Sequence, residues 1–158
     1  MPDASPACNS TSEDAVSHYV EGAVSRLRSM GLRITAPRRA LLAALASSRR
    51  PVGAYQLRDR VRESGGNIDV VSAYRILAGL VEAGLAHRIV AIDGYVACTA
   101  HHQGDHQTEH LVCSKCGCVE ELPIPSGASA EIGVSASRQG FQADLTRVEV
   151  LGTCEHCR

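Results

Sequence analysis

The sequence predicts an α+β fold in two unequal parts: an N-terminal helical module closed by a β-hairpin, and a C-terminal small α/β unit of short strands. Three observations predict it. Four segments between residues 13 and 84 carry apolar side chains at helical spacing, and short alternating runs around an Asp-Gly pair follow them. Two Cys-X-X-Cys pairs, Cys113 with Cys116 and Cys154 with Cys157, frame the end of the chain. Charge is split along the same line. Residues 26–88 hold twelve arginines against Asp59, Glu63, Asp69 and Glu82, a balance of +8, whereas residues 1–25 carry −4 and residues 89–158 carry −5. Two domains with different partners are expected.

The length of 158 residues suits one ordinary domain or two small ones, and a small one has difficulty burying a sufficient core. A hydrophobic content of 44% with 3% aromatics and no Trp requires a core of Leu, Val, Ile and Ala. The start, "MPDASPACNSTSEDAV", has acids where an export signal needs bases, and the longest apolar run, "ALLAALA", is too short to span a membrane. A cytoplasmic protein without a membrane partner is expected. There thiols stay reduced, so clustered cysteines bind metal more often than they form disulfides, and the odd count of seven agrees.

Each element has a local cause. After a Ser-rich start, Val16, Val20, Val24 and Leu27 mark a helix over 13–30, stopped by Gly31. In "ITAPRRALLAALASS", Thr35 is the N-cap, Pro37 sits in the first turn where a missing N–H costs nothing, and Leu41, Leu42 and Leu45 form the buried stripe. Pro51 ends that region. A third helix runs through Leu57 and Val61 to Gly65 and Gly66. The fourth, "VVSAYRILAGLVEAG", places Ala73, Leu77, Leu80, Val81 and Gly84 on one face, with Ser72 and Arg75 opposite and Tyr74 at the border. "LAHRIVAIDGYVACT" then reads as two strands around an Asp-Gly turn.

Helices followed by a hairpin give the order of a winged helix-turn-helix, whose second motif helix enters the major groove. That helix is 71–84 here. Arg75 can reach a base edge, where Arg reads guanine bidentately, although charge alone suits a solvated face equally well. Beyond Cys98 comes the His-rich link "HHQGDHQTEH", then strands at 110–113 and 119–122, a helix at 126–139 through Ala130, Val134 and Ser137, and alternation in "FQADLTRVEVLGTC". The alternation changes phase between Leu145 and Val148, so a long strand kinked near Thr146 is expected.

The two cysteine pairs are chelate turns, each able to aim two thiolates at one tetrahedral zinc ion. Zinc held this way stabilises a small sheet domain by about 10 kcal/mol or more. A redox role suits one pair better than two. A second group of metal-binding residue types gathers at the junction of the basic and acidic halves: His87, Cys98, His101, His102, His106, Glu109, His110, Glu120 and Glu121. Its His and Cys content favours zinc over magnesium, calcium or manganese. Cys8 and Cys118 receive no role.

With "GLRITAPRRALLAAL", "SAYRILAGLVEAGL", "HLVCSKCGCVEE" and the closing "CEHC", the sequence resembles the ferric uptake regulator family of dimeric, metal-dependent bacterial transcription factors over roughly residues 20–158. The resemblance implies structural zinc at Cys113, Cys116, Cys154 and Cys157, base contacts from Tyr74 and Arg75 beside Ser72, and a basic position near the minor groove at Arg33. The iron-sensing branch carries a His-His-Asp-His run before its first Cys-X-X-Cys, where this sequence has "QTEH". The chain is most similar to the zinc uptake regulator branch, whose sensory zinc ligands are matched by His87, Cys98, His106 and Glu121. His101, His102, Glu109 and His110 remain alternative ligands or a further site.

The expected organisation is a disordered start (1–12), a winged-helix DNA-binding domain (13–98), a hinge (99–108) and a dimerisation and metal-binding domain (109–158). The expected function is that of a homodimeric zinc-responsive repressor of zinc-uptake genes, with two zinc ions per subunit and an operator in double-stranded DNA. An iron- or peroxide-responsive regulator on the same scaffold is the alternative. A zinc hydrolase fits poorly, because four protein ligands leave no open position for water, and the deaminase signature fails where Val112 precedes Cys113.

Overall fold

The computed structural model describes residues 11–99, 108–125 and 127–158. The expected disordered start, except for Thr11 and Ser12, and the expected hinge, except for Thr99 and Thr108, lie outside these residues. So do Cys8, His101, His102 and His106.

Helix α1 (Glu13–Ser29) starts on Ser12, whose hydroxyl accepts the Ala15 N–H at 3.3 Å, and α2 (Ala36–Ala46) starts on Thr35, which accepts from Arg38 at 3.4 Å. Helix α3 spans Ala54–Glu63, and α4 (Val70–Glu82) starts on Asp69. Caps of this kind each contribute about 1 kcal/mol by satisfying an orphan N–H. The four apolar stripes meet in one core of Leu27, Leu41, Leu45, Leu57, Leu77 and Leu80, every one at most 1% exposed. A fully buried leucine contributes about 2 kcal/mol, and this core includes no metal-binding side chain.

The hairpin is wider than the Asp-Gly pair predicts. Strands β1 (Ala86–Ile89) and β2 (Gly94–Ala97) are joined by a 3-10 turn, Val90–Ile92, and by Asp93 in the left-handed region at φ 52°. Gly94 is required for a different reason: a Cβ there would lie 2.6 Å from Pro51 Cβ and 3.0 Å from its carbonyl carbon. The close approach lets Val52 exchange two backbone hydrogen bonds with Tyr95, at 2.9 and 3.0 Å, which ties the wing to the helices.

In the second half, β4 (Val119–Pro123), β3 (Thr108–Cys113) and β5 (Val148–Gly152) form a sheet in the order β4-β3-β5, with β3 antiparallel to β4 and parallel to β5. The long kinked strand expected over 141–154 is corrected to the five residues of β5. The parallel register begins at Glu109 opposite Val148, so residues 141–147 lie ahead of any β3 partner among the described residues. Helix α5 (Ala128–Arg138) forms where expected, but its stripe is not buried: no α5 residue is, and Val134 is half exposed.

A small apolar cluster joins the two halves. Ile89 and Val96 of the wing pack with Val112 and Val119 of the sheet, and the Val119 N–H donates to Arg49 O at 3.3 Å.

Candidate metal centres and nucleic-acid interface

The four paired cysteines meet because β3 and β5 run parallel and end together. Cys113 stands opposite Gly152, and the Ser114 N–H donates to Gly152 O at 2.8 Å. The first pair turns back through Gly117, at φ 73°, and the second is carried by a 3-10 turn, Glu155–Cys157. All four sulfurs lie within 4.8 Å of one another. Cys116 Sγ is 3.7 Å from Cys154 Sγ, and a tetrahedron with Zn–S bonds of about 2.3 Å has edges of about 3.8 Å. The donor set and its spacing therefore fit zinc.

Electrostatics favour an ionised first ligand. Backbone N–H groups of Cys154 and Cys116, helped by that of Lys115, lower the Cys113 pKa to about 6 against the opposing effect of burial. The Cys154 N–H reaches its sulfur at 3.4 Å. Hydrogen bonding with Cys154, then burial, pushes Cys157 up to about 12, and burial raises Cys154. Thiolates this close repel one another, and a divalent cation would remove that cost. Cys118 is buried beside the four.

The second group draws on both halves of the molecule. His87 lies on β1, Cys98 just past β2 and Glu121 on β4, with donor atoms all within 4.8 Å of one another. His87 Nε2 is 2.8 Å from Glu121 Oε1, and Cys98 Sγ is 3.6 Å from the same oxygen. The other oxygen accepts the Thr99 N–H at 2.7 Å and its hydroxyl at 3.0 Å. Burial opposes ionisation of Glu121, but His87 and Thr99 outweigh it and hold the carboxyl well below the usual range. One imidazole, one thiol and one carboxylate suit zinc better than a harder cation.

Of the alternative ligands, His110 lies against His87 with ring centroids 4.7 Å apart and the planes tilted by 56°, and is 7% exposed. Strand alternation turns Glu109 and Glu120 to the opposite face of the sheet from His110 and Glu121. Tyr19 of α1 closes the group from behind: its hydroxyl donates to Leu85 O at 2.5 Å, the carbonyl that also accepts the Cys98 N–H at 3.0 Å. Burial, then the neighbouring Cys98 and Glu121, push the Tyr19 phenol pKa up, so it stays a neutral donor. Sequence reasoning missed Tyr19, which in the helix pattern looks only like the flank of the Val16–Val20 stripe.

The outer face of α4 carries Val71, Tyr74 and Arg75, all exposed, and Arg33 is exposed in the loop before α2. Ser72 is engaged: its hydroxyl donates to Asp69 at 2.6 Å and its N–H at 2.9 Å, which stabilises the start of α4. Tyr74, placed at the border of the buried face by sequence, is 47% exposed and meets Tyr55 of α3 edge-on at 6.4 Å. Arg58 lies over the Tyr55 ring at 5.5 Å and pairs with Asp59 at 2.6 Å. Tyr55 and Arg58 are therefore part of the same surface. The available signal was an aromatic residue out of phase with Leu57 and Val61.

The fold and the site thus combine a winged helix, whose hairpin shares a His, Cys and Glu group, with a cysteine-closed sheet, the two-part plan of a regulator family. The chain belongs to the ferric uptake regulator family, whose sequence model matches residues 29–150. It is similar to the zinc uptake regulation protein of Mycobacterium tuberculosis strain H37Rv, 30% identical over 131 residues that cover 81% of this chain and 96% of that one. Among solved structures it resembles holo XcZur, with a TM-score of 0.79 at 29% identity over 89% of this chain and 96% of that one. The apo form of XcZur, also 29% identical, gives only 0.52 over 91% and 98%. A zinc uptake regulator complexed with zinc and DNA gives 0.79 at 26% identity over 90% and 94%. The whole two-part fold is thus that of the family.

Proposed function

We propose that this chain is a zinc-responsive transcriptional repressor of zinc-uptake genes, acting in the cytoplasm as a homodimer on double-stranded DNA. The convergence of His87, Cys98 and Glu121 carries the reading, because donors from the wing and from the sheet come together in one group. The greater likeness to holo than to apo XcZur supports it. Cys113, Cys116, Cys154 and Cys157 would hold one zinc, and His87, Cys98 and Glu121 a second, with His106 as the fourth ligand. Bound at these positions, zinc would supply a cross-link between chain segments without redox chemistry.

The remaining work belongs to the chain's own residues. His87 and Cys98 anchor the two ends of the wing, and Glu121 anchors the sheet. Fastening them together selects one orientation of α4 from those the link allows. In a dimer this sets the two α4 helices to matching half-sites, about 34–36 Å apart for one helical turn. Arg75 and Tyr74 then reach base edges, while Arg33 approaches the minor groove and Ser72 fixes the start of α4. A second copy would cover Ile132, Val134, Leu145 and Leu151, which this chain leaves exposed. Four protein ligands per ion leave no place for a reacting water, so no catalytic role is assigned. Among the described residues no helix is long and apolar enough to cross a membrane.

The test is operator binding before and after a chelator strips the weaker metal. Binding is expected to fall at least about tenfold and to return with zinc; coupling of this kind spans about 5- to 150-fold. Equal binding in both states would sink the proposal. Arg75→Ala should cost about 1–3 kcal/mol at one base position and relax preference there. Titration against operator variants reads the effect, and a uniform loss across variants would reassign Arg75 to a phosphate.

A further inference from the structure

Strand β3 presents one residue in register with both its neighbours: His110 stands opposite Glu121 on β4 and opposite Glu149 on β5. Residues paired in this way share one face of a sheet, and strands lie about 4.8 Å apart. Two carboxylates are therefore set on a common row on either side of His110, and both reach the wing. Glu121 meets its ends, at His87 and Thr99. Glu149 meets its tip. One carboxylate oxygen accepts the Val90 N–H at 2.8 Å and the other accepts the Ala91 N–H at 2.9 Å.

These two N–H groups open the 3-10 turn Val90–Ile92, where a short turn cannot satisfy them from within itself. A residue 58 positions further along the chain from Ala91 satisfies both. We infer that Glu149 is a positioning residue for DNA binding, its carboxylate fixing the tip of the wing against the sheet and so setting the orientation of the α4 reader.

The physical need for such a contact is clear from the rest of the junction. Ile89, Val96, Val112 and Val119 join the halves by apolar contact, which has no preferred direction. A wing held only at the His87 and Cys98 end can pivot on that edge. A second, directional attachment at the tip removes the pivot, and a charged acceptor makes it stronger than a neutral one. Glu149 thereby favours the DNA-competent orientation before any metal arrives and lowers the zinc needed to complete it. The inference rests on the zinc-responsive reading above.

Operator binding is titrated with zinc for the wild type, Glu149→Ala and Glu149→Gln in the full-length protein. Glu149→Ala should raise the zinc concentration for half-maximal binding about tenfold, and Glu149→Gln, which keeps one acceptor oxygen, about threefold. Saturating zinc should bring all three to operator affinities within about twofold of one another. Amide hydrogen exchange at Val90 and Ala91 of the metal-loaded protein without DNA should speed up about tenfold in Glu149→Ala. An unchanged zinc requirement in Glu149→Ala beside a zinc-dependent wild type overturns the inference. Loss of the cysteine-held zinc or of the dimer in Glu149→Gln overturns it as well, because such a residue serves the fold rather than the wing's orientation. A wild type indifferent to zinc refutes the sensor reading instead.

Discussion

Cys113→Ser is expected to remove the cysteine-held metal and, with it, the ordered sheet domain. The reason lies in how little that domain buries. From residue 108 onward the described buried residues are His110, Val112, Cys113 and Cys118, and α5 contributes none. So small a core cannot offset the entropy of ordering the strands, whereas structural zinc contributes about 10 kcal/mol or more of apparent binding energy. Serine replaces a thiolate that neighbouring backbone N–H groups favour with a neutral hydroxyl. Metal analysis should show one zinc fewer per chain, and size-exclusion chromatography should show loss of the dimer. The helical module should keep its far-UV signal, since its leucine core is independent of the site. Retention of both zinc ions and the dimer would show that the four cysteines are not the structural centre.

Cys98→Ser is expected to do the converse. Cys98 is 1% exposed, and its N–H is already satisfied by Leu85 O, so a serine of similar size can occupy the position with little change in packing. It removes the only thiol from the His87, Cys98 and Glu121 group. Loss of partners outside the first coordination sphere alone weakens metal sites about 10- to 100-fold, so removing a direct ligand should cost more than about 100-fold in the weaker zinc affinity. Zinc-dependent operator binding should disappear, while the thermal midpoint and the cysteine-held zinc stay near wild type. Competition titration with a chelator, paired with thermal unfolding, separates the two effects. Equal damage from Cys98→Ser and Cys113→Ser would abolish the division into sensory and structural centres.

Much of this arrangement is legible in the sequence because it is local. Ser12, Thr35 and Asp69 announce helix starts through hydrogen bonds three residues away, and Leu41, Leu42 and Leu45 mark one face by spacing alone. Each Cys-X-X-Cys pair likewise forms its chelate turn within four residues. The misread segment is 141–147, where alternating side chains imitate a strand that finds no pairing partner among the described residues. Alternation shows which residues could share a face; hydrogen-bond partners decide whether a strand exists. The 3-10 turn in the wing was hidden for a related reason, since Asp93 takes the left-handed conformation alone and leaves Val90–Ile92 to coil inward.

By itself, then, the sequence determined the helices, the wing, the zinc-suited cysteine pairs and the family, because each is encoded by neighbours a few residues apart. Only the tertiary structure decided that Tyr55 supports Tyr74, that Tyr19 backs the group of His87, Cys98 and Glu121, and that Glu149 holds the wing tip. These contacts depend on strand register and on the packing of one half against the other, and a shift of a single residue along β3 would turn every one of its side chains to the opposite face.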